Sequence, residues 1–156
     1  MPEKKSAPKV GAPADKNEVS IDFSGVRPFE PLREDLKYLC SVSKMERGQG
    51  PKGPKYSVEF TINEPSEIEV ETERGLETIK IDGRKLFREY SLTSASLPFL
   101  HGLLRALGEK NLGDNFKMKP SNYLGEQVTV KIKNEPFEEQ IRSRVQNVLP
   151  ASAYTA

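Results

Sequence analysis

A chain of 156 residues is long enough for one domain and a tail. Hydrophobic residues make up 35% and charged residues 30%, and the formal net charge is +1, which calls for a compact core and excludes a strongly cationic nucleic-acid binder. A single cysteine, Cys40, and a single histidine, His101, exclude an internal disulfide framework, leave too few ligands for a protein zinc site, and fit a reducing cytoplasm.

Near-neutrality hides an uneven distribution. Residues 57–82 hold eight acidic side chains against two basic ones, whereas 35–56 and 83–125 each carry a basic excess. The start, MPEKKSAPKVGAPADKNEVS (1–20), is rich in Pro, Ala, Lys and Glu and has no apolar periodicity. It cannot offset the entropy of ordering, so a disordered tail is expected there, with no secretory signal. A domain is expected over 21–150, approached through Ile21, Phe23, Val26 and Phe29, with a short tail at 151–156.

From Leu36 the pattern is β. Leu36, Tyr38, Cys40 and Val42 alternate with other residues, and then Tyr56, Val58, Phe60 and Ile62 alternate with Lys55, Ser57, Glu59 and Thr61. Between them ERGQGPKGP (46–54) predicts a long loop. An acidic hairpin is expected over 66–82, turning at Arg74-Gly75 and closed by Asp82-Gly83. GRKLFREYSL (83–92) reads as a strand with aromatics on both faces. Leu97, Leu100, Leu104 and Leu107 share one stripe, widened by Leu103, of a helix that Ser94 or Ser96 can cap and Gly108 ends. This is the most apolar window of the chain, too short to span a membrane and interrupted by His101 and Arg105. Val128, Val130 and Ile132 form the next strand, NEPFEE (134–139) a turn, and 140–149 the last strand, with Arg142 and Arg144 on one face.

Five principal strands with one helix between the third and fourth is the connectivity of the OB-fold barrel, here with an extra hairpin. In that fold ligands lie across strands two and three, flanked by the loops joining strands one to two and four to five. GRKLFREYSLTSASLPFLHGLLRALG (83–108), YLGEQVTVKIKNEPF (123–137) and RSRVQNVLP (142–150), with Lys52-Gly53-Pro54 in the glycine-rich segment, resemble small bacteriophage proteins of an uncharacterised OB-fold family thought to bind single-stranded DNA. The resemblance spans about 35–150. It implies sequence-independent binding of single-stranded nucleic acid, DNA favoured, in phage replication or recombination in the host-cell cytoplasm. The acidic C-terminal tail typical of cellular single-strand binders is missing, since the chain closes LPASAYTA, so recruitment of replication or recombination proteins through such a tail is not expected.

Single strands are held by cations that track the phosphates and by aromatic platforms for the bases. The expected cations are Lys44, Arg47, Lys52 and Lys55 around the first loop, Arg84, Lys85 and Arg88 on the third strand, and Lys131, Lys133, Arg142 and Arg144 on the last hairpin. Singly, each is an ordinary solvated charge on a strand's outer face; convergence of three clusters on one barrel face makes them a candidate site. The expected platforms are Phe137, in the loop between strands four and five, and Phe87, with Tyr90 turned to the core. Tyr56, Phe60 and Cys40 are in phase with core positions, and His101 is expected as a partly buried packing residue. With no Ser-His-Asp set, no phosphate-binding glycine loop and glutamates spread along strands, no catalytic site, metal site or cofactor is expected. The competing expectation is a protein-interaction module or virion assembly component on the same barrel, using the acidic hairpin; the sequence leaves homo-oligomerisation open.

Overall fold

The computed structural model describes residues 16–22, 31–138 and 140–155. Most of the expected tail (1–15) and the apolar approach at Phe23, Val26 and Phe29 lie outside the described residues. Residues 16–22 are exposed and form neither helix nor strand.

Among the described residues seven strands and one α-helix follow in order: β1 (Tyr38–Gly50), β2 (Gly53–Glu64), β3 (Glu67–Thr72), β4 (Gly75–Lys80), β5 (Lys85–Ser91), α1 (Leu97–Ala106), β6 (Gln127–Phe137) and β7 (Gln140–Pro150). Five of them form one antiparallel sheet in the order β5-β2-β1-β6-β7, and β3 with β4 forms a separate two-stranded ribbon. The fold is therefore mainly β with a single helix after the third principal strand. The expected barrel is not closed by hydrogen bonding, because β5 and β7 are the two edges of the ladder.

Period-two alternation sets the core. Tyr38, Cys40 and Val42 of β1, Val58, Phe60 and Ile62 of β2, Leu86 and Tyr90 of β5, Val128, Val130 and Ile132 of β6 and Val145 of β7 are all buried. Register shifts at Leu39/Cys40 and Val42/Lys44 bulge β1, which lets one strand pair with β2 along its whole length and with β6 over Tyr38–Ser41. Leu100, Leu103 and Leu104 of α1 close over this core, and Ile68, Val70 and Ile81 attach the ribbon to it.

Several expectations are corrected. The segment 46–54 is not a loop: β1 and β2 stay in register to Gly50↔Gly53, and only Pro51-Lys52 turns. Glycines weaken strands through entropy and missing side chains, but their backbones still complete a ladder. At Gly53 φ is 121°, a conformation strained for any other residue, and a Cβ on Gly50 would press to 3.3 Å on the Lys55 stem. The predicted turn at 134–139 is likewise mostly strand, since β6 continues through Phe137. Pro136 is tolerated because the β1 ladder has already ended at Val130, leaving its side of β6 unpaired there.

The helix keeps its expected stripe except at the first position, and Leu107 packs against the core. Leu97 is 44% exposed, and Leu100, Leu103, Leu104 and Ala106 carry the burial. Ser96 occupies the N-cap position, but its side chain makes no capping bond; its N–H donates instead to the Thr93 carbonyl. His101 is exposed rather than packed. No helix among the described residues is long and apolar enough to cross a membrane.

Candidate functional site

The edge strands β5 and β7 face each other across a groove of about 1060 Å³, with the start of α1 along one side and the β6–β7 tip at one end. The alternation of β5 divides its side chains between two jobs. Leu86 and Tyr90 point into the core, while Lys85, Phe87 and Glu89 point out. Arg88 shares the inward phase but lies at the seam. Its Nη1 donates to the Gln146 carbonyl of β7 at 2.9 Å, and its guanidinium rests 5.0 Å from the Tyr90 ring centre and 5.1 Å from that of Phe99. One side chain thus bridges the strands that the ladder leaves apart.

Five cations line the groove: Arg84, Lys85, Arg88, Arg142 and Arg144. The one lining carboxylate, Glu89, is ion-paired to Lys55 of β2. Arg142 and Arg144 share a single partner, Glu135 of β6, at 3.8 and 3.4 Å. Lys85 donates to Thr61 Oγ1 at 2.7 Å and lies 3.9 Å from Glu59. Burial pulls the Arg84 guanidinium below its ordinary pKa, with the nearby Tyr38 opposing that shift. Two arginines on one glutamate leave positive charge in excess, and exposed pairs of this kind contribute little to stability, so an incoming anion can displace them at small cost.

Aromatic exposure follows the same groove. Among the described residues the exposed phenylalanines are Phe87 (65%), Phe99 (58%) and Phe137 (48%), and all three line it, together with exposed Ile141. Large apolar rings are thereby held outside the core, at a cationic cleft.

The structure brings together seven of the sequence-predicted residues: Arg84, Lys85, Phe87, Arg88, Phe137, Arg142 and Arg144. Phe137 stands at the end of a strand rather than in a loop. Lys133 stays next to the group, directly opposite Arg144 in the β6–β7 register, without lining the groove. Lys131 pairs with Asn147 further along, also outside it. Lys44, Arg47, Lys52 and Lys55 do not line the groove, although the β1–β2 hairpin that carries them stays paired with β5 up to Lys55↔Ser91; Lys55 reaches the groove's edge through Glu89.

Phe99 was not anticipated. It stands one turn before Leu103 and two turns before Ala106, both buried, so helical periodicity carries no signal of its exposure. Compared with protein-family models and with curated proteins, the chain matches none.

Proposed function

We propose that this protein is an OB-type barrel, left open at one seam, that binds single-stranded nucleic acid independently of sequence, with DNA the favoured strand. The observation that carries this reading is the coincidence of the three phenylalanines exposed among the described residues with five cations in one groove. Cations neutralise phosphates, rings stack on bases of any identity, and a cleft open along its length accepts a chain rather than a small molecule. Duplex DNA, about twice as wide as a single strand with its bases hidden, gains only the phosphate half of this interaction.

The strand order supports the fold assignment. Numbered by principal strands, β5-β2-β1-β6-β7 runs 3-2-1-4-5, the order of an OB barrel cut between its third and fifth strands, with the helix between the third and fourth. The resemblance in 83–108 and 123–150 to phage single-strand binders supports a role in replication or recombination, in the host-cell cytoplasm beside other replication or recombination proteins. Fluorescence anisotropy of labelled oligo-dT against a duplex of equal length, at low and moderate salt, tests the reading. Preference for the single strand, weakening as salt rises, is the expected result.

A further inference from the structure

Two charged surfaces lie outside the groove, and they are opposite in sign. Towards its tip the β1–β2 arm carries exposed Arg47 and Lys52 with exposed Glu46 between Met45 and Arg47, and exposed Lys44 lies further back opposite Glu59; none of the three cations makes an ion pair among the described residues. The outer face of the β3–β4 ribbon carries exposed Glu67, Glu69 and Glu71, in register with Lys80, Thr78 and Leu76. Leu76, at 73%, is the most exposed large apolar side chain among the described residues. Beside that face lies a cleft of about 650 Å³ whose lining includes the carboxylates of Glu34, Asp35, Glu69 and Glu71, with Arg33 bound to Asp35 as the one cation.

The two surfaces cannot meet within one molecule. The arm adjoins the first residue of β2, Gly53, and the ribbon begins just after its last, Glu64. Twelve residues of strand separate them, about 40 Å at the rise of an extended chain.

We propose that the basic tip of the arm docks into the acidic cleft of the ribbon on a second copy of this chain. The two-residue turn at Pro51-Lys52 is narrow enough to enter a cleft, and Lys52 brings a cation to four carboxylates. Donor and acceptor are different surfaces at opposite ends of β2, so copies in parallel orientation join head-to-tail and propagate, whereas two antiparallel copies making the contact reciprocally would stop at a dimer. β5 lies antiparallel against β2 from Lys55↔Ser91 to Thr61↔Lys85, so the groove runs along the direction in which copies repeat. Assembly would line grooves end to end into one track. That last consequence, cooperative coating of a single strand, rests on the nucleic-acid reading above; the contact between copies does not.

Sedimentation velocity of the full chain without nucleic acid, at low salt, tests the contact directly. Wild type should associate as concentration rises. Glu69→Lys with Glu71→Lys should weaken association by roughly tenfold or more, and Arg47→Glu with Lys52→Glu should do the same, because each variant sets like charge against like. Mixing the two variants should restore association, since each then offers the surface the other lacks. A monomeric wild type, a variant that still associates, or a mixture that does not recover would overturn the proposal. On nucleic acid, the Glu69→Lys, Glu71→Lys protein should bind an oligo-dT of about ten nucleotides, enough for a single groove, at least as well as wild type, and should lose the steep isotherm on long oligo-dT. Intact self-association with no binding to the short oligo-dT would instead retain the contact between copies and reject the groove as a single-strand site.

Discussion

The Arg142 guanidinium lies 4.2 Å from the centre of the Phe137 ring, on the diagonal of the β6–β7 ladder, where Arg142 faces Glu135 and Phe137 stands two residues further on. A cation and a ring are thereby held together at one end of the groove by backbone register, through the diagonal contact that long side chains make across antiparallel strands.

Phe137 is half-exposed and contributes little to the core, so Phe137→Ala should cost less than about 1 kcal/mol of stability, chiefly its contact with Arg142. Binding to oligo-dT should weaken by about 1–3 kcal/mol, the value of one stacked base. Urea unfolding and anisotropy on the same protein separate these effects. A stable variant that binds normally would move the ligand away from the last hairpin.

Replacing both Arg142 and Arg144 by alanine should flatten the salt dependence of binding. Each phosphate contact on a single strand contributes about 0.7 to the slope of log K against log salt, so losing two should reduce it by about 1.4. The unpartnered Glu135 carboxylate would weaken binding further by repulsion. An unchanged slope would show that neither arginine meets a phosphate.

Phe60 and Phe87 stand on neighbouring strands with opposite fates, 0% and 65% exposed. Phe60→Ala should cost about 3–5 kcal/mol of stability, whereas Phe87→Ala should fall within about 0.5 kcal/mol of wild type and lose affinity for oligo-dT. Chemical denaturation of the two variants checks the contrast, and equal destabilisation would contradict the division of faces on β5.

Alkaline pH should unfold the protein through its buried hydroxyls and thiol. Burial pushes Tyr38, Tyr90 and Cys40 up to about 12, from ordinary values of 10.0 for tyrosine and 9.0 for cysteine. Folding thus favours their neutral forms: the stability they contribute is full below pH 9 and is lost as pH rises from there towards 12. The midpoint of urea unfolding, followed across that window, should fall steadily, and Tyr90→Phe should make the fall shallower. A profile flat to pH 12 would refute the burial of these groups.

Where side-chain alternation alone decides structure, the sequence was sufficient. Tyr38, Phe60 and Val130 announce buried faces, Arg74-Gly75 announces the turn of the acidic ribbon, and the split of Phe87 from Tyr90 follows from their odd spacing. It misled where composition and pairing disagree. Gly48, Gly50 and Pro54 read as a loop, yet β1 and β2 pair through all three, and pairing is a non-local property that local propensity does not encode. Lys44, Arg47 and Lys52, carried on that hairpin, do not line the groove. Phe99 was hidden by its leucine neighbours, and the Arg88 bridge to Gln146 depends on how far the coiled sheet brings its edges together, which no local pattern records.

The proposed function requires one groove between β5 and β7 to hold a single strand by stacking on three rings. The most direct measurement is a titration of labelled oligo-dT with wild type and with a variant carrying Phe87→Ala, Phe99→Ala and Phe137→Ala, in parallel with a circular-dichroism melt of each. The expected result is a folded variant whose affinity falls by at least a hundredfold, consistent with three stacked bases at about 1–3 kcal/mol each. A folded variant that binds oligo-dT as tightly as wild type, or a wild type that binds none at low salt, would contradict it.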